Sequence, residues 1–309
     1  MTKTAFLFPG QGAQTIGMGK SFYDHDEEVR QLFHQGDEIL KKPLSKLCFE
    51  GPVEELNLTV HSQPALLVCS LAAFRLLKKH RPELEAAYYG GLSLGEYTAH
   101  VAAGVMSFED GLRLVQKRAE LMQKACDSTN GGMASIIGLP LPNVEEICRN
   151  LPGYMTVANL NCPGQIVISG DKNILEEACK KAKEAGARMT VILKVAGAFH
   201  SKHMESAADE LINTLNTVNI NQEKLSRVLC NYSGETFTEG DNWAEIMACQ
   251  ITNPVRWENN LHFVITKGVT KCYELGPGKT INGMLKRIDK NILCFNLESF
   301  NQLESCLKE

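Results

Sequence analysis

The sequence lacks three things that would each have named a function class. It has no excess of positive charge: 32 Lys and Arg stand against 36 Asp and Glu, for a net charge of −4. A dedicated nucleic-acid binder would show a basic surplus. It has no paired-cysteine motif; eleven cysteines are scattered singly. That pattern excludes a zinc ribbon or a thioredoxin-type redox motif and suits reduced thiols in a cytoplasmic setting. No apolar run approaches the roughly 20 residues that cross a bilayer, and the apolar stretch at 5–8 is too short for a signal peptide and stops at Pro9-Gly10. Repeats and low-complexity tracts are also missing. What remains is an ordinary globular composition, 44% hydrophobic and 22% charged over 309 residues. A chain of this length is expected to bury roughly 75% of its unfolded surface.

Periodicity divides the chain. A buried strand is predicted over 4–8, running into the glycine-rich turn Pro9-Gly10-Gln11-Gly12. Helices are predicted over 66–79, with Pro64 at its start, and over 107–125, capped by Ser107. The middle third reads strand 133–139, helix 143–150, strands 154–159 and 165–170, helix 172–185 and strand 188–195. That order, β-α-β-β-α-β, is the ferredoxin-like split motif. A helix over 211–215, a strand over 228–232, helices over 243–252 and 257–267 and a strand over 271–275 follow. The expected architecture is therefore α/β: an α/β-hydrolase-like parallel-sheet subdomain formed by 1–130 and 196–309, with a ferredoxin-like subdomain, 131–195, inserted in it.

The most informative stretch is Gly91-Leu92-Ser93-Leu94-Gly95. Tyr88-Tyr89-Gly90 before it reads as a strand end and the small residues after it as a helix. A serine at such a junction occupies a sharp turn with its hydroxyl exposed, while the first helical N–H groups face whatever it attacks. The plain alternative is a glycine-bordered turn with an incidental serine.

A serine nucleophile needs a base. His200, in Gly197-Ala198-Phe199-His200-Ser201, follows a predicted strand end and is the best placed of eight histidines. His200 and His203 form His-x-x-His, but no acid is spaced to complete a metal site, so no metal is expected. No Asp or Glu before His200 stands out as a third member; a backbone or amide carbonyl would orient the imidazole equally well. Arg118 neighbours the apolar face of its helix. It reads either as a snorkelling surface arginine or as a clamp for a substrate carboxylate.

Eight segments occur in order: 8–14, Gln63-Pro64-Ala65, 91–97, Arg118, Asn161-Cys162-Pro163-Gly164-Gln165, Phe199-His200-Ser201, Asn253-Pro254-Val255-Arg256-Trp257 and Glu274-Leu275-Gly276-Pro277-Gly278. Together they resemble the malonyl-CoA:acyl carrier protein transacylases, a family of acyltransferases of fatty-acid and polyketide synthesis, from about residue 4 to residue 288. The resemblance implies Ser93 as the acyl-carrying nucleophile, His200 as base and then acid, and Gln250 as the residue whose carbonyl orients the histidine. It implies an oxyanion hole from the N–H groups of Gln11 and Leu94, and substrate contacts from Arg118, Phe199, Asn161 and Gln63. Malonyl-CoA would be the substrate and acyl carrier protein the partner, with the phosphopantetheine carried by that partner and no cofactor in the chain. A monomer without nucleic-acid or membrane partners is the family's default. Because the carrier protein is acidic in this family, a basic docking face is expected. Lys180, Lys181, Lys183, Arg188, Lys194, Lys279, Lys286 and Arg287 are candidates, against the simpler reading of solvated helix faces.

Two positions depart from the family pattern. Leu92 stands where histidine is usual, and Ala198 where proline or serine is commoner. The competing readings are a trans-acting acyl hydrolase that clears carrier proteins, and a non-catalytic carrier-binding module. Retention of Arg118 opposes the first, and the presence of Ser93, His200 and Gln250 opposes the second.

Overall fold

The computed structural model describes residues 3–308. Strand β1 (Lys3–Phe8) is apolar from Ala5 onward and buried on both faces, as expected of a strand inside a parallel sheet. Helices α1 (Lys20–His25), α2 (Glu27–Leu40), α3 (Leu44–Glu50) and α4 (Val53–Leu56) lead to the long helix α5 (Thr59–His80). Strand β2 (Tyr88–Gly91), helix α6 (Leu94–Ala103) and helix α7 (Phe108–Ser128) follow. The chain then builds β3 (Gly131–Ile137), α8 (Leu141–Arg149), β4 (Met155–Cys162), β5 (Gln165–Asp171), α9 (Leu175–Glu184) and β6 (Met189–Ile192). It returns through α10 (Glu205–Leu215), α11 (Trp243–Gln250), α12 (Trp257–Thr266), β7 (Val269–Leu275), α13 (Thr280–Ile288), β8 (Leu293–Leu297) and α14 (Phe300–Leu307).

Two four-stranded sheets result. One is parallel, in the order β2-β1-β7-β8; the other is antiparallel, in the order β4-β5-β3-β6. The second order, with helices α8 and α9 in the two crossovers, is that of a ferredoxin-like β-α-β-β-α-β unit. It has its own apolar core around Ile136, Ile168 and Leu175. In the parallel sheet Phe8 pairs with Gly91, so the turns that follow β1 and β2 emerge side by side at the carboxyl edge, where ligands of such sheets bind.

Several expectations need correction. Pro64 does not start its helix: α5 begins at Thr59 and carries Pro64 in its second turn. A proline there forfeits only one backbone hydrogen bond close to the helix start, and its ring is buried. The same helix is long and apolar enough to pass as a membrane span, contrary to the expectation, but 78% of its apolar window is buried inside the protein. The strand predicted over 228–232 is reduced to isolated bridges, Tyr89 with Val228 and Leu229 with Thr236. Pairing ends because Asn231 binds the carbonyl of Gly91 with its side chain instead of its main chain. The helix predicted over 172–185 opens with a 3-10 turn, Lys172–Ile174, before α9, and the strand predicted over 188–195 is trimmed to β6.

Helix α7 explains itself. Ser107 Oγ accepts from the N–H of Asp110, Glu109 and Asp110 favour the positive helix end, and Leu112, Val115, Ala119 and Met122 are buried. Leu114, Arg118 and Met122 follow one another at i+4 spacing, so the arginine projects from a buried stripe. The crossing of β2 into α6 depends on glycine. A Cβ on Gly95 would lie 2.2 Å from the carbonyl oxygen of Phe8, and one on Gly91 would lie 2.0 Å from the carbonyl carbon of Gly95. Gly95→Ala is therefore expected to destabilise the fold by about 1–3 kcal/mol, the range of overpacked sites. Chemical unfolding followed by circular dichroism measures this, and an unchanged midpoint would show that α6 has room to move off β1.

Candidate active site

Ser93 occupies the turn between β2 and α6 with φ 53° and ψ −98°. A non-glycine residue in such a conformation costs on the order of 1–3 kcal/mol and persists only when its surroundings over-determine it. They do. The Ser93 N–H donates to Asn231 Oδ1 at 2.7 Å, and the Ser93 carbonyl accepts from Gln250 Nε2 at 2.9 Å. The hydroxyl is thereby aimed at His200, whose Nε2 is 2.8 Å from Ser93 Oγ.

His200 also has a positive φ, 56°, in the loop between β6 and α10. Its Nδ1 lies 2.8 Å from the main-chain carbonyl of Gln250, the last residue of α11. A carbonyl can only accept, so Nδ1 carries the proton and Nε2 is free to accept from the Ser93 hydroxyl. Burial, with the Arg118 charge adding to it, pushes the His200 pKa down to about 4. The imidazole is thus neutral over the physiological range.

Arg118 is 1% exposed. Its Nη1 donates to Gln63 Oε1 at 2.5 Å, and its Nη2 donates to both Ser93 Oγ and Gln250 Oε1 at 3.0 Å. The guanidinium also lies over the ring of Tyr97, 5.1 Å from its centroid. All three hydrogen bonds go to neutral oxygens, which leaves the charge without a counter-ion in direct contact.

A cavity of about 510 Å³ opens onto this group, walled by the turns after β1 and β2, by helices α7 and α13 and by strands β3, β4 and β5. Ser93, His200, Arg118, Gln11, Leu94, Phe199 and Asn161 all line it. Among the described residues, the N–H groups of Gln11 and Leu94 have no protein acceptor; Leu94 is the first residue of α6. The Leu94 N–H at the N-terminus of α6, beside the nucleophile, and the Gln11 N–H in the turn after β1, whose residue lines the same cavity, are suited to a developing oxyanion. The Asn161 Oδ1 atom is buried without a protein partner. Gln63 is placed differently: it is fully buried on α5, off the cavity wall, and touches the guanidinium from behind.

A family model described as an acyl transferase domain matches residues 5–277. The chain belongs to this acyl transferase family. It is 41% identical over 295 residues to the malonyl CoA-acyl carrier protein transacylase of Bacillus subtilis strain 168, covering 94% of this chain and 92% of that protein. The crystal structure of the Clostridium perfringens malonyl CoA-acyl carrier protein transacylase superposes with a TM-score of 0.93 at 39% identity, over 99% of this chain and 96% of that one. A malonyl-transacylase solved in complex with a type II PKS acyl-carrier protein superposes with a TM-score of 0.94 at 33% identity, over 99% of both chains.

Three buried residues of this acyl transferase site escaped the sequence. Glu96, Asn231 and Asn260 form a hydrogen-bonded group beneath the serine turn. Glu96 meets Gln250 and not the imidazole, whose Nδ1 lies against the Gln250 carbonyl, so no acid stands as the third member. A glutamate at the third position of a helix ordinarily serves the exposed N-terminus; only the small and apolar residues around it hinted at burial. Asn231 and Asn260 carried no sequence signal. His203 of the His-x-x-His pair turns away, its Nε2 3.0 Å from Asp171. Of the basic candidates, Lys180 and Lys181 pair with Glu184 and Glu177 on their own helix, Arg287 bonds Gln165 and Pro163, and Lys194 lines the cavity.

The depressed His200 pKa fixes a pH dependence. The base is deprotonated above about pH 4, so the acylation rate should hold on the acidic side until pH approaches 4 and fall below it. Removing the neighbouring positive charge in Arg118→Met relieves one of the two depressing causes, so the acidic limb should move upward, part of the way to the ordinary histidine value. Acylation rates measured from pH 3.5 to 8 test this; a limb that stays put or moves down would remove Arg118 as a cause.

Proposed function

We propose that this acyl transferase carries a malonyl group from malonyl-CoA to the phosphopantetheine thiol of an acyl carrier protein, through an ester on Ser93. The observation that supports the malonyl assignment is Arg118, a buried cation with only neutral partners, bonded to the very oxygen that would bear the acyl group. The carboxylate of a malonyl ester lies two bonds beyond the ester carbon, within reach of that guanidinium. The names of the relatives agree with this reading.

The geometry supports the following steps. Ser93 Oγ attacks the thioester carbonyl while its proton passes to His200 Nε2. The oxyanion is met by the N–H groups of Gln11 and Leu94. As the C–S bond breaks, His200 returns the proton to the leaving sulfur, CoA departs as a thiol and the malonyl ester stays on Ser93. The carrier thiol then gives its proton to His200 and attacks the ester, and Ser93 leaves and is reprotonated. This is ping-pong transfer. No step changes an oxidation state, and His200 with the two N–H donors supplies the proton transfer and charge stabilisation, so this reading includes no cofactor of the chain's own. Phe199 and Asn161 shape the acyl pocket, and Gln63 holds the clamp. We place the protein in the cytoplasm as a monomer; its eleven cysteines are all unpaired, which suits a reducing compartment.

Radiolabelled malonyl-CoA should leave a covalent label on intact protein, and added holo-acyl carrier protein should remove it to itself. Loss of the label to water instead would favour the hydrolase, and no label would favour a binding module. Arg118→Ala forfeits a charged hydrogen bond of about 1.5–3 kcal/mol to the substrate carboxylate, roughly 10- to 150-fold in kcat/KM. Acetyl transfer, which offers no carboxylate, should lose much less. Equal losses on malonyl and acetyl substrates would end the clamp assignment.

A further inference from the structure

The steps above leave the group beneath the serine turn without a task. Glu96 is fully buried, and its Oε2 atom accepts twice: from Gln250 Nε2 at 2.7 Å and from the main-chain N–H of Asn231 at 3.2 Å. Each donor holds one side of Ser93. Asn231 Oδ1 takes the Ser93 N–H, and its Nδ2 donates to the Gly91 carbonyl and to Asn260 Oδ1. Asn260 in turn donates to the carbonyls of Cys230 and Glu235. Gln250 donates to the Ser93 carbonyl and, with its own carbonyl, accepts from His200 Nδ1. Both peptide groups of the nucleophile and the holder of the base therefore converge on one oxygen atom.

We propose that Glu96 is a positioning residue for acyl transfer, its Oε2 tying the strained Ser93 turn to the residue that orients His200 so that nucleophile and base keep a fixed separation. This rests on the Ser93–His200 reading given under Proposed function. The other carboxyl oxygen, Oε1, is buried without a partner, so one oxygen performs the task. Burial pushes the Glu96 pKa up to about 8, which makes a neutral amide a fair replacement near pH 7. Glutamine keeps a carbonyl oxygen where Oε2 stands and sets its NH2 where Oε1 has no partner. Alanine removes the acceptor and frees both donors. Since about 1 Å of misplacement is enough to lose on the order of 100-fold in rate, the alanine variant should acylate about 100-fold more slowly.

The test compares wild type, Glu96→Ala, Glu96→Gln and Asn231→Ala in single-turnover labelling by radiolabelled malonyl-CoA, with KM from steady-state transfer to acyl carrier protein and folding followed by circular dichroism. Glu96→Ala and Asn231→Ala should each acylate slowly with KM little changed, the pattern of an interaction that serves the transition state. Glu96→Gln should recover most of the rate. The Glu96→Ala/Asn231→Ala double variant should be no slower than the slower single variant, because both cut one chain of bonds. Wild-type acylation by folded Glu96→Ala, a Glu96→Gln rate as low as the alanine rate, or losses that multiply in the double variant would each overturn the proposal. Should Glu96→Ala fail to fold, Glu96→Gln and Asn231→Ala still decide: wild-type acylation by Asn231→Ala overturns the proposal, and slow acylation with unchanged KM, alongside a near-normal Glu96→Gln, supports it. Absence of label on the wild type would overturn the acyl-transfer reading itself, and is thereby distinct from label on every variant alike.

Discussion

A guanidinium cannot give up its proton in a protein, so burying Arg118 obliges the surrounding chain to supply oxygen acceptors, and here all three are neutral. Much of the site follows from that obligation. Gln63 reaches in from α5 and Gln250 from α11, each with an amide oxygen. Tyr97 offers its ring face. The remaining direction points to Ser93 Oγ and the cavity. A carboxylate in that position would have quenched the charge and closed the site to an acidic acyl group. The neutral shell holds the cation in place at a desolvation cost, which on the proposed reading a substrate carboxylate would offset.

Gln250 is the residue on which the arrangement turns, because its main chain and its side chain serve different partners. The carbonyl sets the tautomer of His200; the amide steadies the Ser93 carbonyl, Arg118 and Glu96 at once. Ser93 and His200 both sit at positive φ, so two strained residues face each other, each restrained by the same glutamine. Such strain is tolerable only in a frame this heavily bonded.

The layout of strands and helices was legible because its periodicity is strong: the apolar run of β1, the capped stripe of α7 and the β-α-β-β-α-β order of the antiparallel sheet are all written in residue spacing. So was the serine turn, since Gly91 and Gly95 mark places where strand and helix touch closely. Pro64 misled because a proline in a second helical turn looks the same in sequence as one at the start. Asn231 could not have been read at all. It lies 138 positions from Ser93, and nothing local distinguishes a turn asparagine from one that holds a nucleophile. Arg118 stayed ambiguous for a related reason: spacing shows the face of a helix, not which residues from other helices will close over it.

The acceptor behind His200 has one more consequence. A peptide carbonyl carries no charge, so the imidazolium formed during reaction gains none of the stabilisation an aspartate would give, and the base stays weak. A weak base discriminates among incoming nucleophiles by their acidity. A pantetheine thiol, whose ionisation lies near the ordinary thiol value of about 8.5, surrenders its proton to such a group far more readily than water does. On the proposed reading, an uncharged holder for the histidine would favour sulfur over water in attack on the acyl ester, a kinetic preference that the ratio of transfer to hydrolysis would express.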